Sequence, residues 1–400
     1  MQSFLRARKT KIVKANGQPV LLKGVNLGGW LMMEGYIMHS LNFPERKFKE
    51  DFAGHLGQKT LKDFEKSFRD NFIREDDFKK ISDFGFNCVR LPFNCRLIEK
   101  APYRYSEEGV RYLDRAIRWA ERYRIWIILD LHAACGCQNH DWHSDSFGKA
   151  ELWTNKTYRQ RTYALWEFLA DRYKDKSWVA GYDLLNESVT ANTKLLNEFY
   201  RTLIKTVRQV DKNHILFVEG NTWATDLDCL EDFDDDNLAL SGHCYVPLDH
   251  TSNFIPHLFY PLKHQGQMWN KSYLKKLIFA HTKIAFKRQR PVFMGEFGTN
   301  YRHGLYGEGR WLKDILSCFA ELGFHWTYWT FKAIKNGILP DGIFSYYENP
   351  PWVHRMGPLM GMATYHLHWP RHKKEMTASW STENFRPNKE ILSALRHALR

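Results

Sequence analysis

The run "IWIILDLH" (125–132) is the stretch of sequence that constrains the fold most. Apolar side chains fill it almost without interruption, and it ends on a histidine. A strand with one face in water alternates apolar and polar residues, whereas a near-continuous apolar run is typical of a strand buried on both faces. Such strands occur mainly in parallel sheets that helices cover on both sides. The run therefore predicts one strand of a parallel α/β architecture.

Similar runs recur along the chain: "LLKGVNL" (21–27), "FNCVRLPF" (86–93), "VAGYDLLNE" (179–187), "HILFVEG" (214–220), "LALSGHCY" (238–245), "PVFMGEF" (291–297) and "FHWTYWTF" (324–331). Amphipathic segments separate most of them, with apolar stripes at Leu113, Ala116, Ile117 and Ala120 and at Leu196, Phe199, Leu203 and Val207. Eight strands alternating with helices predict a (β/α)8 TIM barrel rather than a doubly wound sheet. The fifth and sixth strands, 214–220 and 238–245, have the weakest signal.

The domain organisation follows from what the sequence contains between these runs. There is no Pro/Gly/Ser-rich linker and no low-complexity block, and 400 residues suit one barrel with insertions. The segment "KIVKANGQPVLL" predicts a hairpin that turns at Asn16-Gly17. We predict a single catalytic domain over 1–400, with the barrel from about residue 20, the hairpin over about 11–22, and long loops at the active face.

The charge balance raises the question of an anionic partner. The chain has 58 Lys and Arg against 45 Asp and Glu, a net charge of +13, which can indicate nucleic-acid binding. Residues 251–295 contain no acid, but Leu274, Leu277, Ile278 and Ile284 recur there at helical spacing, so the basic residues are expected on a solvated helix face. Without a recognised nucleic-acid motif, we predict no nucleic-acid partner.

Cysteine content and the first residues bear on the compartment. Seven scattered cysteines predict reduced, buried thiols. The opening "MQSFLRARKTKIVKANG" has charge but no apolar h-region, and no apolar run is long enough to span a bilayer. We expect a cytoplasmic protein if residue 1 is the natural start, and a secreted one if a leader was removed. The oligomeric state stays open.

The strand ends carry the residues that could take part in binding or catalysis. Active sites of TIM barrels lie at the carboxyl ends of the strands, and here these ends hold Arg90, His132, Asn186, Glu187, His243, Tyr245, Glu296 and Trp329. Any one of them could be an ion-pair partner or a packed residue, but together they favour an active site. Two carboxyls about 5–5.5 Å apart serve a retaining glycosidase, and an inverting enzyme needs a wider gap.

The motifs around these residues resemble glycoside hydrolase family 5. The resemblance rests on "LLNES" with Asn186 and Glu187, "GHCY", and "MGEFG" with Glu296. Arg90 in "NCVRLPF", His132 in "LDLH" and Trp329 in "WTYWTF" complete that family's active-site set. The motifs occur in family order from about residue 20 to 335. The resemblance implies a retaining β-glycosidase that works by double displacement.

Two glutamates would carry the reaction. The resemblance makes Glu187 the acid/base, with a pKa raised by the second carboxylate. It makes Glu296 the nucleophile, which must stay ionised, and Arg90 and the Tyr245 hydroxyl would keep it so by charge and hydrogen bonding. This mechanism needs no metal and no organic cofactor.

The remaining residues of the set would bind the sugar. Asn186 would hold the 2-hydroxyl, a contact that strengthens in the transition state. His132 and His243 would hydrogen-bond the sugar or orient the glutamates, and Trp329 would form an apolar floor beneath the ring.

The substrate is less constrained than the reaction. The motif "GVNLGGWLMMEGY" (24–36) is similar to that of the exo-β-1,3-glucanase branch, in which the glutamate, here Glu34, contacts the terminal sugar. "GHCY" and "GEFG" look more like the endoglucanase branch. We predict cleavage of β-glucosidic linkages in glucans, oligosaccharides or glucosides. The alternatives are a β-mannan-type or other β-glycoside hydrolase of this fold, and a carbohydrate-binding protein without catalysis.

The stretch "LHAACGCQNHDWHSD" (131–145) permits two interpretations. Cys135, Cys137, His140 and His143 offer four possible zinc ligands. The stretch also resembles a DLHGAPGSQN-type loop that lines the sugar site in the exo-glucanase branch. We favour the sugar-site loop.

Two further segments each permit two interpretations. The acidic run "EDFDDDN" (231–237) lacks the spacing of an EF-hand, so an exposed turn is favoured over a calcium loop. The long segment 332–383, with Trp352, Trp369 and Trp380, either sets substrate choice or packs beneath the barrel rim.

Overall fold

A closed barrel of eight parallel strands forms the centre of the protein, whose computed structural model describes residues 3–335, 337–346 and 361–400. The strands are β1 (Lys23–Asn26), β2 (Cys88–Asn94), β3 (Trp126–Ala133), β4 (Val179–Asp183), β5 (Ile215–Glu219), β6 (Leu238–His243), β7 (Val292–Phe297) and β8 (His325–Tyr328). Each pairs in parallel with the next, and β8 pairs with β1. The predicted TIM barrel is confirmed, including its two weakest strands.

Helices cover the outside of the barrel. The longer ones are α1 (Glu45–Leu56), α2 (Gln58–Asn71), α3 (Glu75–Asp83), α4 (Glu107–Arg122), α5 (Lys156–Tyr173), α6 (Thr193–Val210), α7 (Lys271–Lys287), α8 (Glu308–Leu322), α9 (Tyr365–Ser379) and α10 (Lys389–Leu399). The two predicted apolar stripes lie on α4 and α6 and are buried along their whole length. Short helical turns occur at Tyr36–Met38, Cys95–Ile98, Trp142–Ser144, Glu151–Thr154, Asn221–Ala224, Leu248–Thr251, Met362–Thr364 and Thr382–Asn384.

The N-terminal hairpin closes the bottom of the barrel. Strands Arg6–Arg8, Lys11–Val13 and Pro19–Val20 form an antiparallel sheet. Leu5, Ile12 and Leu22 pack in one apolar cluster with residues at the strand starts, such as Trp126 and Phe293. Because the hairpin occupies this end, the carboxyl ends of the strands remain for a site. That residues 1–400 form one catalytic domain stays a prediction.

Smaller strands complete the loops. They pair as Glu99–Ala101 with Arg104–Tyr105, as Leu262–His264 with Gln267–Trp269, and as Lys332–Ile334 with Phe344–Tyr346 and Arg386–Pro387.

The C-terminal segment packs against the barrel rather than entering the site. Trp369 and Trp380 are 2% and 1% exposed and stack on each other with ring centres 6.0 Å apart. Lys332 is buried beside them and donates hydrogen bonds of 2.8 Å to the Trp380 carbonyl and the Thr382 hydroxyl. The packing interpretation is therefore correct for these two tryptophans, and Trp352 lies outside the described residues.

The charged segments are explained by ordinary surface contacts. On α7, Leu274 and Ile278 are buried, whereas Lys275 is exposed and pairs with Glu321, so the basic stretch is a solvated helix face as predicted. Acids of the run 231–237 pair with arginines, as Glu231–Arg201, Asp232–Arg290 and Asp235–Arg208. In the described part of the chain, no helix has the length and apolarity needed to cross a membrane.

Candidate active site

Glu296, near the end of β7, is held by two donors. Arg90 Nη1 donates to its Oε1 at 2.7 Å, and the Tyr245 hydroxyl donates to its Oε2 at 2.8 Å. The side chain of Glu296 is only 6% exposed. A buried carboxylate that accepts a charged hydrogen bond on one oxygen and a neutral one on the other is stabilised in its ionised form. This is the state that a nucleophilic carboxylate requires.

Glu187 follows β4 in an unusual backbone conformation. Its φ of +45° lies in the left-handed region, which is unfavourable for a residue with a side chain. Two hydrogen bonds fix it there, because its N–H donates to Glu219 Oε2 at 2.6 Å and its carbonyl accepts from Asn139 Nδ2 at 2.9 Å. Backbone strain held by its surroundings is common at functional sites. The Glu187 carboxyl is thereby fixed at the barrel mouth.

The two glutamates are close enough for double displacement. One oxygen of Glu187, one oxygen of Glu296 and a ring nitrogen of His243 all lie within 4.8 Å of one another. Carboxyls of retaining glycosidases are about 5–5.5 Å apart, and those of inverting enzymes are about 6.5–9.5 Å apart. The geometry therefore matches the retaining spacing.

Histidines determine the protonation of Glu187. Burial raises the pKa of Glu187, but the hydrogen bond from His243, at 2.7 Å, and the electrostatic effect of His143 and His243 outweigh it and lower the pKa to about 2. The expectation of a raised pKa in the free enzyme is therefore wrong. It took account of the second carboxylate and omitted the histidines.

The pKa of His243, the hydrogen-bond partner of Glu187, is shifted in the opposite direction. Burial lowers the pKa of His243, but the carboxylates of Glu296, Glu219 and Glu187 around it outweigh burial and raise that pKa well above its ordinary value. His243 Nδ1 faces Glu187, and its Nε2 lies 3.2 Å from Glu219 Oε1. A protonated imidazole in this position stores one proton 2.7 Å from the carboxylate that must use it.

Arg90 links the acidic residues at the floor of the site. The guanidinium is fully buried and lies within 3.1 Å of four carboxylates, which belong to Asp130, Asp183, Glu219 and Glu296. The first three of these acids were missed in the sequence. The available signal was their position inside apolar runs, because a carboxylate in a buried strand needs a charged or hydrogen-bonding partner.

Two predicted sugar-binding residues have free polar atoms. Asn186 Oδ1 accepts from Arg90 at 2.8 Å, while its buried Nδ2 has no partner among the described residues. Glu34 is 2% exposed, and its Oε1 likewise lacks a hydrogen bond within the described structure. Burial, followed by the charges of Glu296, Glu187 and Asp130, raises the pKa of Glu34 well above its ordinary value. The shift favours the protonated carboxyl, which can donate a hydrogen bond.

A cavity of about 490 Å³ opens above these groups. Its walls include seven of the nine predicted site residues, namely Glu34, Glu187, Glu296, His132, His243, Tyr245 and Trp329. The other two, Arg90 and Asn186, lie behind them and are fully buried. His132 stacks on Trp329 with ring centres 5.3 Å apart and planes 9° apart, so the two rings form one flat wall. All nine residues therefore meet at one end of the barrel.

The cavity is also lined by residues outside the predicted set of nine: Tyr36, Asp141, Trp142, His143, Trp223, Leu248 and Phe254. His143 Nδ1 lies 3.5 Å from Glu187 Oε2, which makes it a neighbour of the acid/base candidate. Its signal was visible, because it belongs to a loop that follows a barrel strand.

The four candidate zinc ligands of that loop do not converge. Cys135 Sγ donates to Glu99 Oε2 at 2.8 Å, and burial raises the pKa of the Cys137 thiol to about 11. His140 is exposed, whereas His143 faces the cavity. Over the described ranges, the Glu187–His243–Glu296 group is the only one with metal-binding spacing.

The loop instead positions the active site. Gln138 accepts from the Ala134 N–H at 3.0 Å and donates to the His132 carbonyl at 2.7 Å. Asn139 holds the Glu187 carbonyl from the same loop. The structure therefore places residues of 131–145 at the cavity beside Glu187, and a sugar-binding role of this loop stays a prediction.

Known proteins resemble this chain in sequence and in fold. A β-xylosidase of Phanerodontia chrysosporium is 33% identical over 350 residues, which cover 83% of this chain and 71% of the relative. Endoglucanase C of Acetivibrio thermocellus is 26% identical, covering 78% of this chain and 91% of the relative. The crystal structure of endoglucanase Cel5A from Thermotoga maritima has a TM-score of 0.62 at 19% identity, covers 93% of this chain and 96% of its own, and supports the fold.

A match to a family model identifies the protein family. The model described as cellulase, glycosyl hydrolase family 5, matches residues 51–334, which include both glutamates and every barrel strand except β1. Since this match extends over more than half of the chain, the protein belongs to glycosyl hydrolase family 5 and is a retaining β-glycoside hydrolase.

Proposed function

We propose that the enzyme removes single neutral sugars, above all glucose, from the ends of β-glucosides, with Glu296 as nucleophile and Glu187 as acid/base. The observation that carries exo action is Glu34, a buried carboxyl with a raised pKa on the cavity wall. Its Oε1 makes no hydrogen bond in the described structure and lies 3.6 Å from His132 Nε2. It belongs to the segment 24–38, which is buried throughout. A buried wall with an unused hydrogen-bonding group suits the terminal sugar of a chain better than an internal segment of a polysaccharide.

In the first chemical step, Glu296 attacks the anomeric carbon while the glycosidic oxygen leaves. The oxygen takes a proton from Glu187, which receives it from His243 across the 2.7 Å hydrogen bond. Arg90 and Tyr245 bind the nucleophile until its negative charge is consumed in the glycosyl–enzyme ester. At the end of this step, Glu187 is ionised and His243 is neutral.

In the second step, water replaces the departed group. Glu187 accepts a proton from the water, whose oxygen attacks the anomeric carbon and releases Glu296. The proton returns from Glu187 to His243, and the starting state is restored. Two inversions at one carbon give net retention.

The sugar is held by groups close to the two glutamates. The flat wall of His132 and Trp329 provides an apolar surface for the ring. Glu34 on the cavity wall provides a hydrogen bond to a hydroxyl, and the unpartnered Asn186 Nδ2 lies behind that wall. The names of the relatives, a β-xylosidase and a sporulation-specific glucan 1,3-β-glucosidase of Saccharomyces cerevisiae, which is 36% identical over 204 residues, support exo action on a neutral pyranose.

The test is a hydrolysis panel of aryl β-glucoside, β-xyloside and β-mannoside with laminarin, carboxymethylcellulose and mannan, and with products resolved over time. We expect the aryl β-glucoside to be cleaved fastest, single glucose units to be released from oligosaccharides, and the β-anomer to appear first in the proton NMR spectrum. A ladder of oligosaccharides would contradict exo action, and an initial α-anomer would contradict the retaining roles.

Variants test the roles of the glutamates. Glu296→Ala and Glu187→Gln should nearly abolish hydrolysis, and azide should partly rescue Glu187→Ala with an activated aryl glycoside. Glu321→Gln, which changes a glutamate on the surface of α8, is the control and should be unaffected. Activity near the wild-type level in purified Glu296→Ala would overturn the assignment.

A further inference from the structure

The outer wall of the cavity is apolar, in contrast to its floor. Trp223, Leu248 and Phe254 line the same cavity as the catalytic glutamates and are 42%, 50% and 47% exposed. Single exposed apolar residues are common on proteins, whereas a group gathered at one cavity indicates a binding surface. Leu339 and Pro340 continue the wall.

Trp223 lies on the side from which the leaving group departs. Its N–H donates to the carbonyl of Ser188, the residue after Glu187, at 3.3 Å. Its indole Nε1 donates to Asp141 Oδ2 at 2.7 Å, and Asp141 is in turn 3.6 Å from His143 Nε2. Since His143 contacts Glu187, a chain of polar contacts links the indole to the acid/base.

The backbone that presents Trp223 is strained. Thr222, Trp223 and Ala224 have φ values of +54°, +53° and +58°, three successive residues in the left-handed region. This region is unfavourable for residues with a side chain, and a β-branched threonine is a clear outlier there. Strain of this kind persists where a function requires the resulting geometry. Here, it keeps a large aromatic ring half exposed at the cavity.

The polar atoms of Trp223 and Thr225 in this wall are already engaged. The single polar atom of the indole is bound to Asp141, and Thr225 Oγ1 donates to the Thr222 carbonyl at 2.6 Å. A second sugar would bring several hydroxyls that need partners, whereas an apolar group needs only contact area.

We infer that the leaving-group side of the site accepts an apolar aglycone, an alkyl or aryl alcohol, in preference to a second sugar. The inference rests on the proposed function, because it names the substrate class of the same site. Trp223, Leu248 and Phe254 are the residues that determine this specificity.

The experiment is a series of n-alkyl β-glucosides from methyl to octyl. The acidity of the departing alcohol changes little along the series, so kcat/KM reports contact with the chain. Full burial of a methylene is worth about fourfold, and we expect at least a tenfold rise in kcat/KM from methyl to hexyl glucoside. Hexyl glucoside should also be cleaved faster than cellobiose or laminaribiose. A flat series, or a disaccharide preferred over hexyl glucoside, would overturn the inference.

Matched variants locate the effect. Phe254→Ser and Leu248→Ser should each reduce the hexyl-to-methyl ratio of kcat/KM by at least threefold. Phe279→Ser is the control, because this ring on α7 is equally exposed, at 48%, but does not line the cavity. A ratio that falls equally in the control, or that stays unchanged in both wall variants, contradicts the assignment to this wall.

Binding separates this inference from the proposed function. Hexyl and methyl β-glucoside are titrated calorimetrically into the Glu296→Ala variant. Tighter binding of the hexyl compound, together with no glucoside turnover by the wild type, would overturn the hydrolysis proposal and support the apolar subsite. Equal affinity for both would overturn the apolar subsite, whatever the wild type hydrolyses.

Discussion

His243 and Glu187 share one proton, and the free enzyme keeps it on the histidine. The pKa of Glu187 lies at about 2, while that of His243 is raised well above 6.5. Two groups coupled this closely titrate as a pair. The pair is ready to donate as long as it holds its proton, so the loss of activity at high pH should follow the pKa of the pair rather than that of an isolated glutamate.

The first prediction concerns this pH dependence. We expect the basic limb of kcat/KM for an aryl β-glucoside to lie above pH 6.5 in the wild type. In His243→Asn, the proton must reside on Glu187 alone, so the basic limb should move to lower pH. His281→Asn, on the exposed face of α7, should leave the profile unchanged. An unshifted limb in His243→Asn would show that His243 does not hold the proton.

The second prediction concerns Glu34, which burial and nearby carboxylates keep neutral. A glutamine offers a donor and an acceptor, as a protonated carboxyl does. Glu34→Gln should therefore keep kcat/KM within about tenfold of the wild type, while Glu34→Ala should lose on the order of a hundredfold, as expected when a site loses a buried hydrogen bond to its substrate. Initial rates with an aryl β-glucoside test this. Equal losses in both variants would mean that an ionised carboxylate is needed.

At the scale of elements, the strands were predictable and their supporting contacts were not. Parallel strands buried on both faces leave continuous apolar runs, and the run 125–132 alone gave the position of β3 within one residue. Glu296 could be assigned from its place near the end of such a run and Arg90 from the family motif, although Arg90 lies inside β2 rather than at its end. Asp183 could not, because its role depends on Arg90, which is 93 residues away in sequence. The charge on His243 likewise depends on carboxylates that lie on β5, on β7 and after β4 and meet around it. This is why the pKa of Glu187 was misjudged.

The third prediction concerns the docking of α9 on α2. Phe64 of α2 is fully buried and lies within 6.2 Å, between ring centres, of six aromatic rings: Phe48, Phe52, Phe68, Tyr365, Trp369 and Trp380. Phe64→Ala should lower the free energy of unfolding by about 3–5 kcal/mol. Urea unfolding measures the loss. Phe279→Ala should change stability by less than about 0.5 kcal/mol, as for an exposed site; an equal effect in both would contradict this role for Phe64.

At the scale of the whole molecule, charge is distributed unevenly. The chain has a net charge of +13, yet six acidic residues surround the cavity floor: Glu34, Asp130, Asp183, Glu187, Glu219 and Glu296. Burial raises the pKa of two of them, Glu34 and Asp183, which favours their neutral forms. Arg90 and the histidines balance part of this charge. The basic residues lie elsewhere, for example on the solvated face of α7. The surface therefore suits anions, while the site itself suits neutral sugars.

The fourth prediction follows from this contrast. An aryl β-glucuronide has nearly the shape of the corresponding glucoside and the same leaving group, but it brings a carboxylate into the acidic cavity. Because like charges at close range cost several kcal/mol, we expect its kcat/KM to be at least a hundredfold lower. Charges beyond the Debye length of about 8 Å at physiological salt are screened, whereas those of the cavity are not. The discrimination should therefore persist from low to high salt, and comparable rates for the two substrates would show that the floor is not anionic when substrate binds.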